Sequence, residues 1–163
     1  MLGDSILVGA RDFGELDARL RARGWVPEII AEEGRSVSWA TGVVEARDRV
    51  PAVVVVALGS NPGPGTEGFG QDVDALVNAL TSRGADRSVW IPPAHADPER
   101  YAARHQILAD AGGPVEVASW PDRLGPNPGW LSGDGLHLTG QGYAELAAFV
   151  VERLSTASAI NAE

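Results

Sequence analysis

Two short segments near opposite ends of the sequence carry the residue types of an activated serine nucleophile. Residues 3–5 read Gly-Asp-Ser and end in Ser5, and residues 134–137 read Asp-Gly-Leu-His. A serine hydroxyl becomes reactive when an imidazole accepts its proton and a carboxylate fixes the tautomer of that imidazole. Asp134 precedes His137 by three residues, so in a turn its carboxylate can bind one ring nitrogen and leave the other for Ser5. The chemistry indicated is acyl transfer through Ser5, with His137 as base.

Acyl transfer also needs N–H donors for the oxyanion that forms on the substrate. The candidate donors are the backbone N–H of Ser5, the backbone N–H of Gly34 and the side-chain amide of Asn61. Gly34 and Asn61 follow the predicted second and third strands, and His137 precedes the last predicted helix. In an open parallel sheet, ligands bind beyond the carboxyl ends of the strands. We therefore expect all of these residues on one edge of the sheet.

The elements that must position these residues alternate between strands and helices. Apolar periodicity, helix caps and breakers predict helices at 7–23, about 36–49 and 72–83, a helix opened by Asp97 and Pro98, and a last helix from Thr139 to about Leu154. Strands are predicted at 26–31, 53–58, 88–91 and 115–118, with a short first strand before Ser5. This alternation predicts five βα units and a parallel sheet covered on both faces.

With these motifs in place, the sequence resembles the SGNH (GDSL-like) hydrolase family. Gly-Asp-Ser matches the first of the family's four blocks, Gly34 the second, Gly-Ser-Asn ending at Asn61 the third, and Asp-Gly-Leu-His the fourth. Many members carry aspartate after the third-block asparagine, where this sequence has Pro62. The tryptophans before the fourth block are most similar to those of SGNH domains attached to bacterial membrane acyltransferases.

The resemblance implies a fold, an activity and a set of site residues. The fold is a flavodoxin-like three-layer α/β/α sandwich with a five-stranded parallel sheet in the order 2-1-3-4-5. The activity is ester hydrolysis or acyl transfer. Ser5, Asp134 and His137 would be the catalytic residues, and Ser5, Gly34 and Asn61 would form the oxyanion hole. The expected domain covers residues 1–154, followed by a frayed tail at 155–163.

The first strand is the unusual part of this pattern, because only Met1 and Leu2 precede the first block. Central strands of such sheets usually run about five or six residues. We expect either a sheet that tolerates a very short strand or a sequence truncated from a longer one, and we favour the second interpretation. Read literally the sequence is cytoplasmic, whereas a missing upstream segment would allow a periplasmic or other extracytoplasmic location.

Composition narrows the classes of partner. A net charge of −9 argues against a nucleic-acid partner. The longest apolar run is too short for a membrane span. The absence of cysteine excludes thiolate chemistry, and three widely spaced histidines predict no metal site and no cofactor. His95 and His105 are expected to be solvated.

The expected function is that of a serine esterase that removes a small, acetyl-like acyl group through an acyl-enzyme intermediate. The expected substrate is a small-molecule or carbohydrate ester. Two alternatives stay open at this point. One is an O-acyltransferase domain that acts on a cell-envelope sugar, and the other is a non-catalytic flavodoxin-like binding module. The sequence does not indicate an oligomeric state.

Overall fold

The computed structural model describes residues 1–62 and 65–160, and within them the backbone forms one five-stranded sheet. All strand pairs are parallel and the order is β2-β1-β3-β4-β5, which confirms the predicted topology. The strands are β1 (Leu2–Gly3), β2 (Ile30–Ala31), β3 (Val53–Ala57), β4 (Arg87–Trp90) and β5 (Val115–Val117).

Helices cover both faces of this sheet. They are α1 (Ser5–Asp12), α2 (Leu16–Arg21), α3 (Val37–Glu45), α4 (Phe69–Ser82), α5 (Ala102–Asp110), α6 (Trp120–Leu124) and α7 (Gly140–Ile160), with 3₁₀ turns at Pro98–Tyr101 and Pro128–Trp130. None of the helices in the described residues is both long enough and apolar enough to cross a membrane.

The core divides into two apolar layers because side chains of β3 alternate between the faces of the sheet. Val55 and Ala57 pack in the layer formed with α1, α2 and α7. Val54 and Val56 pack in the layer formed with α3, α4 and α5. The β-branched residues of β3 are thus covered on both sides, as expected of a parallel strand in a three-layer fold.

The first strand is short, as expected, and it covers only part of β3. Leu2 and Gly3 pair with Val56 and Ala57, whereas β4 pairs with β3 from Val53 onward. A cavity of about 260 Å³, lined mainly by apolar side chains, lies beside the amino-terminal half of β3. The Met1 ammonium donates to the Glu28 carbonyl at 2.6 Å, and burial lowers its pKa to about 6. Even at this length, β1 places Ser5 at the carboxyl edge of the sheet.

The helix predicted at 7–23 is wrong in one respect, because the structure divides it into α1 and α2. The break is at Gly14 and Glu15, where Glu15 has a left-handed φ of 56°. A Cβ on Gly14 would lie 2.4 Å from the Tyr143 carbonyl oxygen of α7. The close approach of α7 therefore requires glycine there, and the chain turns before it continues as α2.

Other bounds also differ from the predictions. The strand predicted at 26–31 is reduced to β2, because Ile30 is the first of its residues opposite β1. Between β5 and the last helix, where no element was predicted, the structure has α6, whose Trp120 is buried against Phe149 of α7. The last helix continues to Ile160 rather than ending near Leu154. Residues 161–163 of the predicted tail lie outside the described residues.

Candidate active site

Ser5 lies at the first position of α1, directly after β1. Asp4 caps this helix, since its Oδ1 accepts a hydrogen bond from the Ile6 N–H at 3.0 Å. The first N–H groups of a helix have no partner within the helix, and the helix dipole favours negative charge near them. Ser5 therefore presents its hydroxyl and its backbone N–H at a position suited to anionic oxygen.

Ser5, His137 and Asp134 form a continuous series of hydrogen bonds. Ser5 Oγ lies 2.9 Å from His137 Nε2, across almost the whole length of the sequence. His137 Nδ1 lies 2.6 Å from Asp134 Oδ2. When Nδ1–H donates to Asp134, Nε2 has a free lone pair and can accept the Ser5 proton. The sequence predicted these three residues, and the fold brings them within hydrogen-bond distance.

Hydrogen bonds hold the carboxylate of Asp134 in its ionised form, and burial opposes them only slightly. The largest contribution comes from the His137 ring, followed by the Leu136 N–H, the Ser132 hydroxyl and the His137 N–H. Together they keep the pKa of Asp134 well below its usual range. Half of the side chain remains exposed, so the charge is stabilised locally and stays accessible to solvent.

The loop that carries Asp134 and His137 is anchored on both sides. The His137 carbonyl accepts from the Ser132 N–H at 2.7 Å, and the Gly135 carbonyl accepts from the Ala96 N–H at 2.8 Å. Gly135 has a φ of 72°, a conformation that favours glycine. These contacts fix the loop against the segment that follows β4.

The other two histidines belong to this neighbouring segment. His95 is half-buried against Gly135, and its Nδ1 accepts from the Asp97 N–H at 2.9 Å. His105 is also half-buried, and its Nε2 bonds the Pro93 carbonyl at 2.6 Å. Both side chains were expected to be solvated; the structure leaves each only partly exposed, and each forms a hydrogen bond to the chain around the site.

Asn61 lies beyond β3, with its side-chain amide near the end of β1. The amide Nδ2 lies 3.2 Å from Ser60 Oγ, 3.4 Å from Asp4 Oδ2 and 3.4 Å from the Arg35 carbonyl. All three contacts are at the long end of the hydrogen-bond range. The amide is thus oriented by several weak partners and can turn toward a stronger acceptor. The Asn61–Pro62 peptide bond is cis.

Asp4 is the buried carboxylate beneath this amide, with only 1% of its surface exposed. Its Oδ2 accepts from Ser60 Oγ at 2.5 Å. Burial raises the pKa of Asp4, while hydrogen bonds from Ser60 and Ile6 oppose that shift. Asp4 thereby connects the first turn of α1 to the residues that follow β3.

Gly34 follows β2, so Ser5, Gly34 and Asn61 follow three adjacent strands of the sheet. Gly34 is exposed and has a φ of 73°. The carbonyl of its neighbour Arg35 contacts the Asn61 amide. The fold thus brings the segment around Gly34 to the edge where Asn61 lies.

A small pocket of about 20 Å³ lies behind the Ser5–His137 pair. Residues on either side of Ser5 and of His137 form part of its wall, and the remainder comes mainly from apolar side chains after β4 and in α6. The lining residues used below are Ile6, Leu136, Leu138, Pro93 and Trp120. The volume is close to what a single water molecule or methyl group requires.

Sequence reasoning missed several residues that build this edge. Ser60 is buried between Asp4 and Asn61, and Tyr101 donates to the Ser60 carbonyl at 3.3 Å. Arg104 binds the same loop from α5. The Gly-Ser-Asn motif was a signal for Ser60. A tyrosine and an arginine in a helical segment carry no comparable signal.

The described residues contain no group of three or more His, Cys, Asp or Glu side chains placed to hold a metal ion.

The sequence matches no protein-family model and no curated protein sequence. Its structure is similar to the C-terminal catalytic domain of peptidoglycan O-acetyltransferase A (OatA) from Streptococcus pneumoniae. The TM-score is 0.75 at 23% identity, over 96% of this chain and 92% of that one. A protein from Slackia heliotrinireducens assigned to the SGNH hydrolases gives a TM-score of 0.66 at 21% identity, over 93% and 95% of the two chains.

A third similar structure is a two-domain esterase, CEX, active on acetylated mannans. Its TM-score is 0.64 at 17% identity, over 95% of this chain and 47% of that one. At such identities, the likeness establishes that this chain has the three-layer fold of these proteins.

Proposed function

We propose that this protein is a serine ester hydrolase that removes a small acyl group, of acetyl size, through an acyl-enzyme intermediate. The observation that carries the proposal is the series of hydrogen bonds from Ser5 through His137 to Asp134, at 2.9 and 2.6 Å. A serine, an imidazole and a carboxylate in this order are the groups that activate a hydroxyl nucleophile.

In the first half of the reaction, Ser5 Oγ attacks the carbonyl carbon of the ester while His137 Nε2 takes the hydroxyl proton. The resulting tetrahedral intermediate carries its negative charge on the former carbonyl oxygen. When the intermediate collapses, the C–O bond to the alcohol breaks and His137 gives the proton to the departing alkoxide. The acyl group is left as an ester on Ser5.

In the second half, a water molecule takes the place of the alcohol. His137 removes a proton from the water as its oxygen attacks the acyl carbon, and the proton then passes to Ser5 Oγ when the acyl bond breaks. Free carboxylic acid leaves, and Ser5 is regenerated. Throughout, ionised Asp134 stabilises the imidazolium form of His137 and fixes its orientation.

The oxyanion would be stabilised by the backbone N–H groups of Ser5 and Gly34 and by the amide of Asn61. These residues follow three adjacent strands, and such preorganised donors commonly give the largest single contribution to acyl transfer. The long contacts of the Asn61 amide support this role. An oxyanion is a stronger acceptor than the Arg35 carbonyl and would displace it.

The size of the acyl group follows from the pocket behind Ser5. A volume of about 20 Å³ with mainly apolar walls matches the methyl group of an acetyl ester and supports a preference for short acyl groups. The likeness to an esterase active on acetylated mannans supports an acetylated carbohydrate as the substrate class.

The same intermediate supports a second candidate function, O-acetyl transfer to a cell-envelope sugar. Transfer replaces the attacking water with a sugar hydroxyl and leaves the rest of the chemistry unchanged. The observation that favours it is the likeness to the catalytic domain of a peptidoglycan O-acetyltransferase. Adding a sugar acceptor to the assay separates the two, because transfer yields an acetylated sugar in place of acetate.

The deciding experiment combines a fluorophosphonate probe with hydrolysis of p-nitrophenyl acetate. We expect the probe to label Ser5, and Ser5→Ala to lose both labelling and turnover. Ser119→Ala, at an exposed serine outside the site, is the matched control and should retain both. A folded wild-type protein that neither reacts with the probe nor hydrolyses the ester would support a non-catalytic binding module instead.

A further inference from the structure

A buried cation on α5 lies beside the loop that carries Asn61. Arg104 is only 3% exposed, and its hydrogen bonds go to backbone carbonyl oxygens. Its Nη1 donates to Gly59 at 2.5 Å and lies 3.5 Å from the carbonyl oxygen of Asn61. Its Nε donates to Gly65 at 2.7 Å, and Nη2 binds the same oxygen. The guanidinium therefore joins both ends of the loop that follows β3.

Two further contacts keep this guanidinium in place. The Phe69 ring at the start of α4 lies under it, with 4.5 Å between the guanidinium carbon and the ring centroid. One turn earlier in the chain, the Tyr101 hydroxyl donates to the Ser60 carbonyl at 3.3 Å. Burying an arginine is costly unless its donors are satisfied. Here carbonyl oxygens of one loop satisfy them, so the loop and the charge stabilise each other.

We infer that Arg104 is a positioning residue for the oxyanion site, because it fixes the backbone that carries Asn61. This inference rests on the proposed function and goes beyond it, since Arg104 does not touch substrate in that mechanism. The Asn61 amide itself is held only by contacts of 3.2 to 3.4 Å. Its direction therefore depends on where the loop backbone lies. Loss of the guanidinium would leave carbonyl oxygens unpaired and free the loop to move.

Arginine suits this position better than lysine does. The planar guanidinium presents five N–H donors in a fixed fork and reaches separated oxygens at once. Lysine concentrates its three donors at one ammonium. Arg104→Lys should thus keep the charge but bind fewer of the carbonyl oxygens, while Arg104→Met removes all of these bonds and keeps much of the apolar volume.

The test is a double-mutant cycle between Arg104 and Asn61, measured as kcat and KM for p-nitrophenyl acetate. We expect Arg104→Met to lower kcat about 10- to 100-fold with little change in KM, which is less than the roughly 10²- to 10³-fold for losing one oxyanion donor outright, because the Asn61 amide is displaced and not removed. Arg104→Lys should fall between Arg104→Met and wild type. The double variant Arg104→Met/Asn61→Ala should be no slower than Asn61→Ala alone, because both changes remove the same donor. Losses in kcat that multiply in the double variant would overturn the inference.

One control variant separates general destabilisation from positioning. Leu108→Ala removes a fully buried side chain from the same helix, so it destabilises the core without removing a bond to the loop. At a temperature where both variants are folded, kcat should fall for Arg104→Met and stay near wild type for Leu108→Ala. Equal losses of kcat in the two variants would contradict a positioning role.

Hydrogen exchange gives a readout that does not need activity. Backbone amides of residues 58–61 should exchange faster in Arg104→Met than in wild type, and those in Leu108→Ala should not. If wild type fails to hydrolyse esters, the proposed function fails, and this exchange result still decides whether Arg104 holds the loop. If wild type is active but the loop exchanges equally in all variants, only the inference about Arg104 fails.

Discussion

Asp134 holds His137 by both of its carboxylate oxygens. Oδ2 binds the ring Nδ1 at 2.6 Å, and Oδ1 accepts the backbone N–H of the same histidine at 2.9 Å. The Leu136 N–H and the Ser132 hydroxyl also donate to Oδ1. A single side chain therefore fixes the tautomer of His137 and the backbone that carries it. The short spacing between the two residues makes this possible.

Asp134→Asn should lower kcat by about 10³- to 10⁴-fold, by analogy with the effect of this change in serine proteases. An asparagine amide can present its NH₂ to Nδ1, which favours the tautomer with the proton on Nε2, where Ser5 needs an acceptor. Asp97→Asn, at an exposed helix cap, is the control with the same chemical change. Steady-state kinetics on p-nitrophenyl acetate measure the effect. Near-normal kcat in Asp134→Asn would contradict the proposed role.

The pH dependence should show one limb on the acid side, due to His137. Protonated imidazole cannot accept the Ser5 proton, so kcat/KM should fall on the acid side. Asp134 should not contribute a second limb there, because its pKa lies well below its usual range and it stays ionised. The measurement is a kcat/KM profile in buffers of constant ionic strength. A slope of two protons on the acid limb would count against this assignment.

Asn61→Ala should lower kcat by about 10²- to 10³-fold, because it removes one of the proposed oxyanion donors. KM should change little, since the amide interacts most strongly with the charge that develops in the transition state. Ser60→Ala is the neighbouring control, because Ser60 bonds the Asn61 amide and Asp4 and is not an oxyanion donor in the proposed mechanism. A loss in Ser60→Ala as large as that in Asn61→Ala would argue that the loop, and not the amide, is responsible.

Local signals in the sequence were sufficient to predict the alternation of strands and helices and the residues at the strand ends, whereas the strand order came from the resemblance to the SGNH hydrolases. Ser5 and Asn61 follow apolar strand segments, and Asp134 and His137 are adjacent enough to pair without knowledge of the fold. The missed features depend on contacts between distant segments. Gly14 breaks a helical pattern because α7 approaches it. The sequence around Arg104 is typical of a solvated helix position, because its contacts are with the loop after β3, which is distant in sequence.

Leu136→Ala should broaden the range of acyl chains that are hydrolysed. Leu136 lines the small pocket beside Ser5 and His137, and its truncation enlarges the space open to the acyl group in the proposed reaction. Wild type should hydrolyse p-nitrophenyl acetate better than the butyrate and octanoate esters, as ratios of kcat/KM. The variant should raise the butyrate-to-acetate ratio. Val26→Ala, at an exposed position far from the pocket, should leave this ratio unchanged. An unchanged ratio in Leu136→Ala would place the acyl group elsewhere.

Asp4→Asn should change how the stability of the fold depends on pH. Burial raises the pKa of Asp4 above 3.8, its value in an exposed chain. At a pH between 3.8 and the raised pKa of Asp4, the folded state binds a proton that the unfolded state has released. The free energy of unfolding of wild type should therefore decrease as the pH rises through this range, by at most about 1.4 kcal/mol per pH unit. Asparagine has no proton to release, so this contribution is absent from the variant.

The difference is measured by urea unfolding of both proteins between pH 3.5 and 8, which is roughly the range in which carboxyl groups with raised pKa titrate. The stability of Asp4→Asn relative to wild type should increase with pH and level off once Asp4 is ionised in the folded state. Ser60→Ala removes the strongest hydrogen bond that opposes the shift, so its stability should continue to decrease to higher pH than that of wild type. Parallel curves for wild type and Asp4→Asn would show that the buried carboxyl carries no such cost.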